Sequence, residues 1–175
     1  ARFVHALSRI DGAEGPHSGE HNSFRGAPLA VRDALTRAAL RDLEGRLDVE
    51  RATVAWDTAL AVPAWAAPPV WIHGDLQSGN LLLKEGRLCA VIDFGLMGVG
   101  DPAAELIVAW NLLSAETRPA FRAALEVDDA TWARGRGWAL SVSLIALPYY
   151  QTRNPVLAQQ ARRTIEQVLA DARLS

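Results

Sequence analysis

The chain contains one cysteine, one lysine and four histidines among its 175 residues. A lone Cys89 cannot close an internal disulfide, and one cysteine with four histidines is too few for a structural zinc cluster. A reducing, cytoplasmic setting is therefore expected. Neither charge sign is in excess: 18 Lys and Arg against 20 Asp and Glu leave −2 at pH 7, which gives no electrostatic basis for a nucleic-acid or membrane partner. Long apolar runs are lacking too. The longest uncharged stretches, Thr58 to Ile72 and Gly137 to Thr152, are broken by Pro63, Pro68 and Pro69 and by Pro148. Neither reaches the roughly 20 residues of a spanning helix, and the N-terminus lacks the order of a secretory signal. With 50% hydrophobic residues, the chain can fill one core and hardly two, so residues 1–175 read as a single domain.

Phe3, Val4, Leu7 and Ile10 recur at helical spacing with no capping residue before them, as in the later part of a longer protein. Asp11 to Pro28 holds four glycines and two prolines and reads as a long irregular connection. Helices are expected from Pro28 to a cap at Gly45, from Asp48 to about Ala61, and then at Pro102–Ser114, Arg118–Leu125, Asp129–Leu147 and Pro155–Asp171. Asn154 should cap the last of these, with Pro155 at its first position. Between them the period changes. Val70-Trp71-Ile72 is a short apolar run, and Leu81–Leu83 and Leu88–Ile92 flank Lys84-Glu85-Gly86-Arg87 as a β-hairpin. The fold class is α+β, predominantly helical.

Polar residues bracket that hairpin. His73-Gly74-Asp75-Leu76-Gln77-Ser78-Gly79-Asn80 precedes it and Asp93-Phe94-Gly95 follows it. Residues 71–110 carry Lys84 and Arg87 against Asp75, Glu85, Asp93, Asp101 and Glu105, a net −3. A hairpin brings its two ends together, so Asn80 and Asp93 should face one another and can share Mg²⁺, which takes few protein ligands and leaves positions for water and phosphate. Asp75 would lie beside them, free to accept or orient the proton of an attacking hydroxyl.

The order His73-x-Asp75-x-x-x-x-Asn80, hairpin, Asp93-Phe94-Gly95 resembles the catalytic loop and metal-binding triplet of the protein-kinase-like fold, in the form carried by the aminoglycoside phosphotransferase family. Trp71, Gly98-x-Gly100-Asp101-Pro102 and the flanking helices extend the similarity over nearly the whole chain, as that family's C-terminal lobe. The resemblance implies that Asp75 is the catalytic aspartate, that Asn80 and Asp93 hold Mg²⁺ on nucleotide phosphates, and that His73 and Gly95 are structural members of the two loops. It implies ATP or GTP as donor and a small hydroxylated molecule as acceptor. Gln77 stands where many relatives have histidine, and Leu96 where an acidic residue is common. No glycine-rich loop precedes the catalytic loop, and the single lysine, Lys84, lies in the hairpin turn. The N-terminal nucleotide lobe is thus expected to be absent from this chain, which alone would bind nucleotide feebly.

Simpler roles stand beside these. Asp75 and Asn80 are also turn formers, Asp101 before Pro102 reads as a helix cap, and Glu105 one turn on needs only the helix dipole, while both stay open as groups that support the site from behind. Trp56, Trp110, Trp132 and Trp138 read as core, Cys89 as a small core residue of a strand, and Tyr149-Tyr150 as either cleft lining or a helix end. A metallophosphoesterase is disfavoured because no histidine follows His73. A non-catalytic, kinase-derived binding module is the alternative function, and a purely structural helical domain leaves the acidic hairpin unexplained.

Overall fold

The computed structural model describes residues 1–171. Its helices are α1 (Arg2–Ser8), α2 (Asp33–Asp42), α3 (Val49–Ala61), α4 (Val108–Asn111), α5 (Arg118–Leu125), α6 (Asp129–Tyr150) and α7 (Pro155–Asp171). Between α3 and α4 lie four short strands, β1 (Val70–Ile72), β2 (Leu81–Lys84), β3 (Arg87–Val91) and β4 (Gly98–Gly100). They form two antiparallel pairs, β1 with β4 and β2 with β3.

Local chemistry sets most of these boundaries. The Asp48 carboxylate accepts the Arg51 N–H at 3.1 Å and starts α3, and Asn154 accepts from the N–H groups of Val156 and Leu157 at 3.2 Å ahead of α7. The turn residues Glu85 and Gly86 both have positive φ, 52° and 73°, as a two-residue hairpin whose twist matches its strands requires.

The core is organised around α6, in which every residue from Arg134 to Ser141 is buried. A Cβ on Gly137 would lie 2.6 Å from Leu29 Cδ2 and 2.7 Å from Ala59 Cβ, so the missing side chain is what lets α6 pass this close to α3. Trp56, Trp110 and Trp138 are fully buried. The Trp56 indole N–H reaches Asp33 at 2.7 Å and that of Trp110 reaches Asp171 at 3.2 Å, so two large apolar surfaces are buried with their polar edges satisfied. Arg134 on α6 pairs with Asp101 at 2.7 Å, both nearly inaccessible. Asp101 also accepts the Ala103 N–H at 2.9 Å as the cap of the 3-10 helix Pro102–Ile107.

Several expectations change. The stretch Pro102–Ser114 is a 3-10 helix followed by the short α4 and ends at Asn111. The sixth helix runs past Leu147 to Tyr150, because Pro148 forfeits only its own donor and the ladder resumes with Gln151 N–H to the Leu147 carbonyl at 3.1 Å. Cys89 is exposed, not core. The pairing steps from Leu82↔Ala90 to Leu83↔Leu88, leaving Cys89 as the extra residue of a bulge, which breaks the alternation that pointed it inward. Leu82, Leu83 and Leu88 are exposed with it, so the hairpin stands off the core. Ile10, grouped by helical spacing with Phe3, Val4 and Leu7, is also exposed.

Candidate active site

Asp75 follows β1, Asn80 closes a 3-10 turn just before β2, and Asp93 follows β3. The hairpin brings these positions together as its two ends require. The Ile92 N–H donates to the Asn80 carbonyl at 3.0 Å. Asn80 is buried, and its Nδ2 donates to the backbone carbonyl and to Oδ2 of Asp75, both at 2.9 Å. Gln77 Nε2 adds a third donor, to Asp75 Oδ2 at 3.0 Å. One carboxylate oxygen of Asp75 is thus anchored twice, while Oδ1 has no hydrogen-bond partner among the described residues.

His73 joins the two loops. Its Nδ1 accepts the Asp75 N–H at 3.2 Å, so the ring proton sits on Nε2 and is donated to the Ile92 carbonyl at 3.0 Å. Phe94 packs on the same ring at 4.7 Å between centroids, with Phe3 of α1 edge-on to both. His73 is fully buried. Gly95 follows Asp93, whose Oδ1 accepts its N–H at 3.4 Å. Asp93 itself is exposed and has φ 63°, a conformation uncommon outside glycine and tolerated best by Asp and Asn.

Gly74 is held on both faces, by Glu105, which sequence reasoning kept only as a possible supporting group, and by Arg25, which it missed. Its N–H donates to Glu105 Oε1 at 2.7 Å and its carbonyl accepts from Arg25 Nε at 2.9 Å. Its φ is +80°, and a Cβ there would lie 2.4 Å from the Leu96 carbonyl oxygen. Both clamping charges are buried. Burial pushes the Glu105 carboxyl up to about 7, against the lowering effect of the Gly74 and His73 N–H groups and with a further push from Asp75. Its Oε2 has no hydrogen-bond partner among the described residues. Burial lowers Arg25 from the ordinary arginine value, partly offset by the charge of Asp75. A lone Glu in the apolar run Ala103-Ala104-Glu105-Leu106-Ile107-Val108 was a usable signal; Arg25, in an irregular loop, gave none.

A cavity of about 620 Å³ opens beside Asp75, between the loop that carries it, the C-terminal half of α6 and the N-terminal half of α7. Leu76, Gln77 and Leu96 line it, as do Tyr149 and Tyr150. Asp75 is half-buried on its wall, so a ligand can reach it. Among the described residues no three His, Cys, Asp or Glu side chains gather to hold a metal. Asn80 keeps Oδ1 and Asp93 keeps Oδ2 unpartnered. Two oxygen donors of this kind fit a cation such as Mg²⁺, which draws the rest of its shell from phosphate and water.

Residues 1–138 match the sequence model of the phosphotransferase enzyme family, APH. An aminoglycoside 3'-phosphotransferase of Escherichia coli is 38% identical over 58 residues, covering 33% of this chain and 21% of that protein. One from Salmonella typhimurium is 42% identical over 41 residues, 23% of this chain and 15% of that protein. Among solved structures, a thermostable mutant of aminoglycoside phosphotransferase APH(4)-Ia in ternary complex with AMP-PNP and hygromycin B superposes with a TM-score of 0.59 at 19% identity, over 95% of this chain and 61% of that one. The gentamicin complex of APH(2")-IIa gives 0.51 at 17%, over 94% and 59%. The chain therefore spans about three fifths of the solved proteins it resembles. These structures share its α+β, kinase-like fold, and by the family match the chain belongs to the phosphotransferase enzyme family, APH.

Proposed function

We propose that the chain is the C-terminal, acceptor-binding lobe of a Mg²⁺- and ATP-dependent small-molecule phosphotransferase, with Asp75 as catalytic base and Asn80 and Asp93 as the metal ligands. The carrying observation is Asp75, one oxygen anchored by Asn80 and Gln77 and the other open at a cavity wall. The acceptor hydroxyl gives its proton to the Asp75 carboxylate as its oxygen bonds to the γ-phosphorus and the bond from that phosphorus to the ADP oxygen breaks. Anchoring Oδ2 leaves Oδ1 as the atom that takes the proton. His73 and the Gly74 clamp fix where that atom stands, and positioning of this kind is most of what a protein contributes to phosphoryl transfer. A divalent ion on Asn80 and Asp93 would neutralise phosphate charge.

The nucleotide lobe is assigned to a part of the protein outside this chain. The exposed apolar side chains of the hairpin and its exit, Leu82, Leu83, Leu88, Ile92 and Phe94, support that assignment, since apolar surface left open on a hairpin is suited to a covering partner. Relatives whose names or complexes involve aminoglycosides make these one class to include among the acceptors tested. In the full-length protein, ATP consumption with a panel of hydroxylated molecules should fall about 10²- to 10⁴-fold in Asp75→Asn, with nucleotide affinity unchanged. Wild-type transfer by the variant would refute the role of Asp75, and no transfer by the wild type to any acceptor would favour a binding module. Calorimetric titration of residues 1–175 alone with ATP and Mg²⁺ should show only weak binding; a micromolar constant would count against a separate nucleotide lobe.

A further inference from the structure

The cavity beside Asp75 is poorly suited to a polycation. Its lining contains one carboxylate, Asp75, against two guanidinium groups, Arg25 and Arg32. Both arginines are 93% buried, at 7% exposure, and neither forms an ion pair among the described residues. Each spends only Nε on the protein, Arg25 on the Gly74 carbonyl and Arg32 on Ser141 Oγ at 3.2 Å. Among the described residues, their terminal nitrogens have no hydrogen-bond partner. The two guanidinium carbons lie 5.7 and 5.5 Å from the centroid of the same Trp138 ring, so two like charges are held around one indole. Burial and the neighbouring Arg25 charge lower Arg32 to about 10, which still leaves it cationic at neutral pH.

Two largely desolvated cations share this wall with only the charge of Asp75 acting on Arg25 to offset them, an arrangement that an anionic ligand would complete. Arg32 is moreover fixed in place: Ser141 Oγ is 2.7 Å from Thr36 Oγ1, which donates back to the Arg32 carbonyl at 2.8 Å. The rest of the lining is largely apolar, with Val142, Ile145, Ala146 and Leu157 along α6 and α7. Asn80 and Asp93 do not line the cavity, so these arginines lie on the acceptor side of Asp75, away from the proposed metal ligands.

We infer that the acceptor is an anionic alcohol with an apolar body, its carboxylate or phosphate paired with Arg25 and Arg32 and its hydroxyl directed to Asp75. This rests on the phosphotransferase reading and narrows its substrate class. Leu96 and Gln77 also line this cavity.

The test uses the full-length protein with ATP and Mg²⁺, and matched pairs of probes: phenyllactate and its methyl ester, ω-hydroxydodecanoate and its methyl ester, with hygromycin B as the polycation. Each acid should exceed its ester in kcat/KM by about tenfold or more, the size of one charge-assisted hydrogen bond, and hygromycin B should be the poorest acceptor. Arg32→Gln should bring the acid-to-ester ratio close to one, and Arg32→Lys should retain part of it. The ratio does not depend on how much of a variant is folded. Esters used as well as acids, hygromycin B preferred, a ratio unmoved by Arg32→Gln, or a raised KM for ATP in place of a changed ratio would each overturn the assignment. Calorimetric binding of the same pairs separates this from failure of the phosphotransferase reading. An Arg32-dependent preference for acids without phosphoryl transfer removes the kinase chemistry and leaves the anion site standing, whereas absence of both removes the anion site.

Discussion

Glu105→Gln isolates the energetic role of the buried carboxyl behind the catalytic loop. Glu105 is fully enclosed and its Oε1 accepts the Gly74 N–H at 2.7 Å, a contact a glutamine oxygen can keep. Burial raises the carboxyl from 4.5 to about 7, so the folded state holds this proton over a range in which the unfolded chain has released it. Stability contributed by Glu105 is then fully present below about pH 4.5. It declines by about 1.4 kcal/mol per pH unit as pH rises towards 7, and is flat above that, for a total loss of about 3 kcal/mol. Glutamine does not titrate. Melting temperatures of wild type and Glu105→Gln, followed between pH 4.5 and 8.5, should therefore diverge by about 6 to 12 °C in favour of the variant as pH rises, at ~2–4 °C per kcal/mol for a domain of this size. Other titrating groups are shared and cancel in the difference. Parallel pH curves for the two proteins would refute the burial argument.

Gly74→Ala should abolish most transfer and destabilise the fold by about 2 kcal/mol or more in urea titration, because the residue is at φ +80° and its Cβ would meet the Leu96 carbonyl at 2.4 Å; a fully active variant would show that the clamp is dispensable. Asp101→Ala leaves Arg134 charged and buried without its partner, and should cost about 3–5 kcal/mol by the same measurement. A change below 1 kcal/mol would mean that Arg134 finds another way to satisfy its charge.

The parts of the site readable from sequence are those that local geometry enforces. The Glu85-Gly86 turn fixes the hairpin, the hairpin's ends bring Asn80 next to Ile92 and Asp93, and the five-residue spacing lets Asn80 reach Asp75. Caps such as Asp101 and Asn154 needed only their own next few residues. Glu105 was read as a dipole partner because the sequence does not say which face of a short helix is enclosed. Cys89 was misplaced because strand alternation assumes an unbroken ladder, and one bulge reverses it.

By itself, the order of residues determined the predominantly helical α+β class, the hairpin and the three polar positions around it, since each depends on contacts within a dozen or so residues. Only the tertiary structure decided that Arg25 and Glu105 grip the two sides of Gly74, and that Arg25 and Arg32 share one face of a cavity with Asp75. Those partners are separated by 49 residues for Arg25 and Gly74 and by 109 for Arg32 and Ser141. The energy of a buried charge depends on what surrounds it, and folding alone assembles those surroundings.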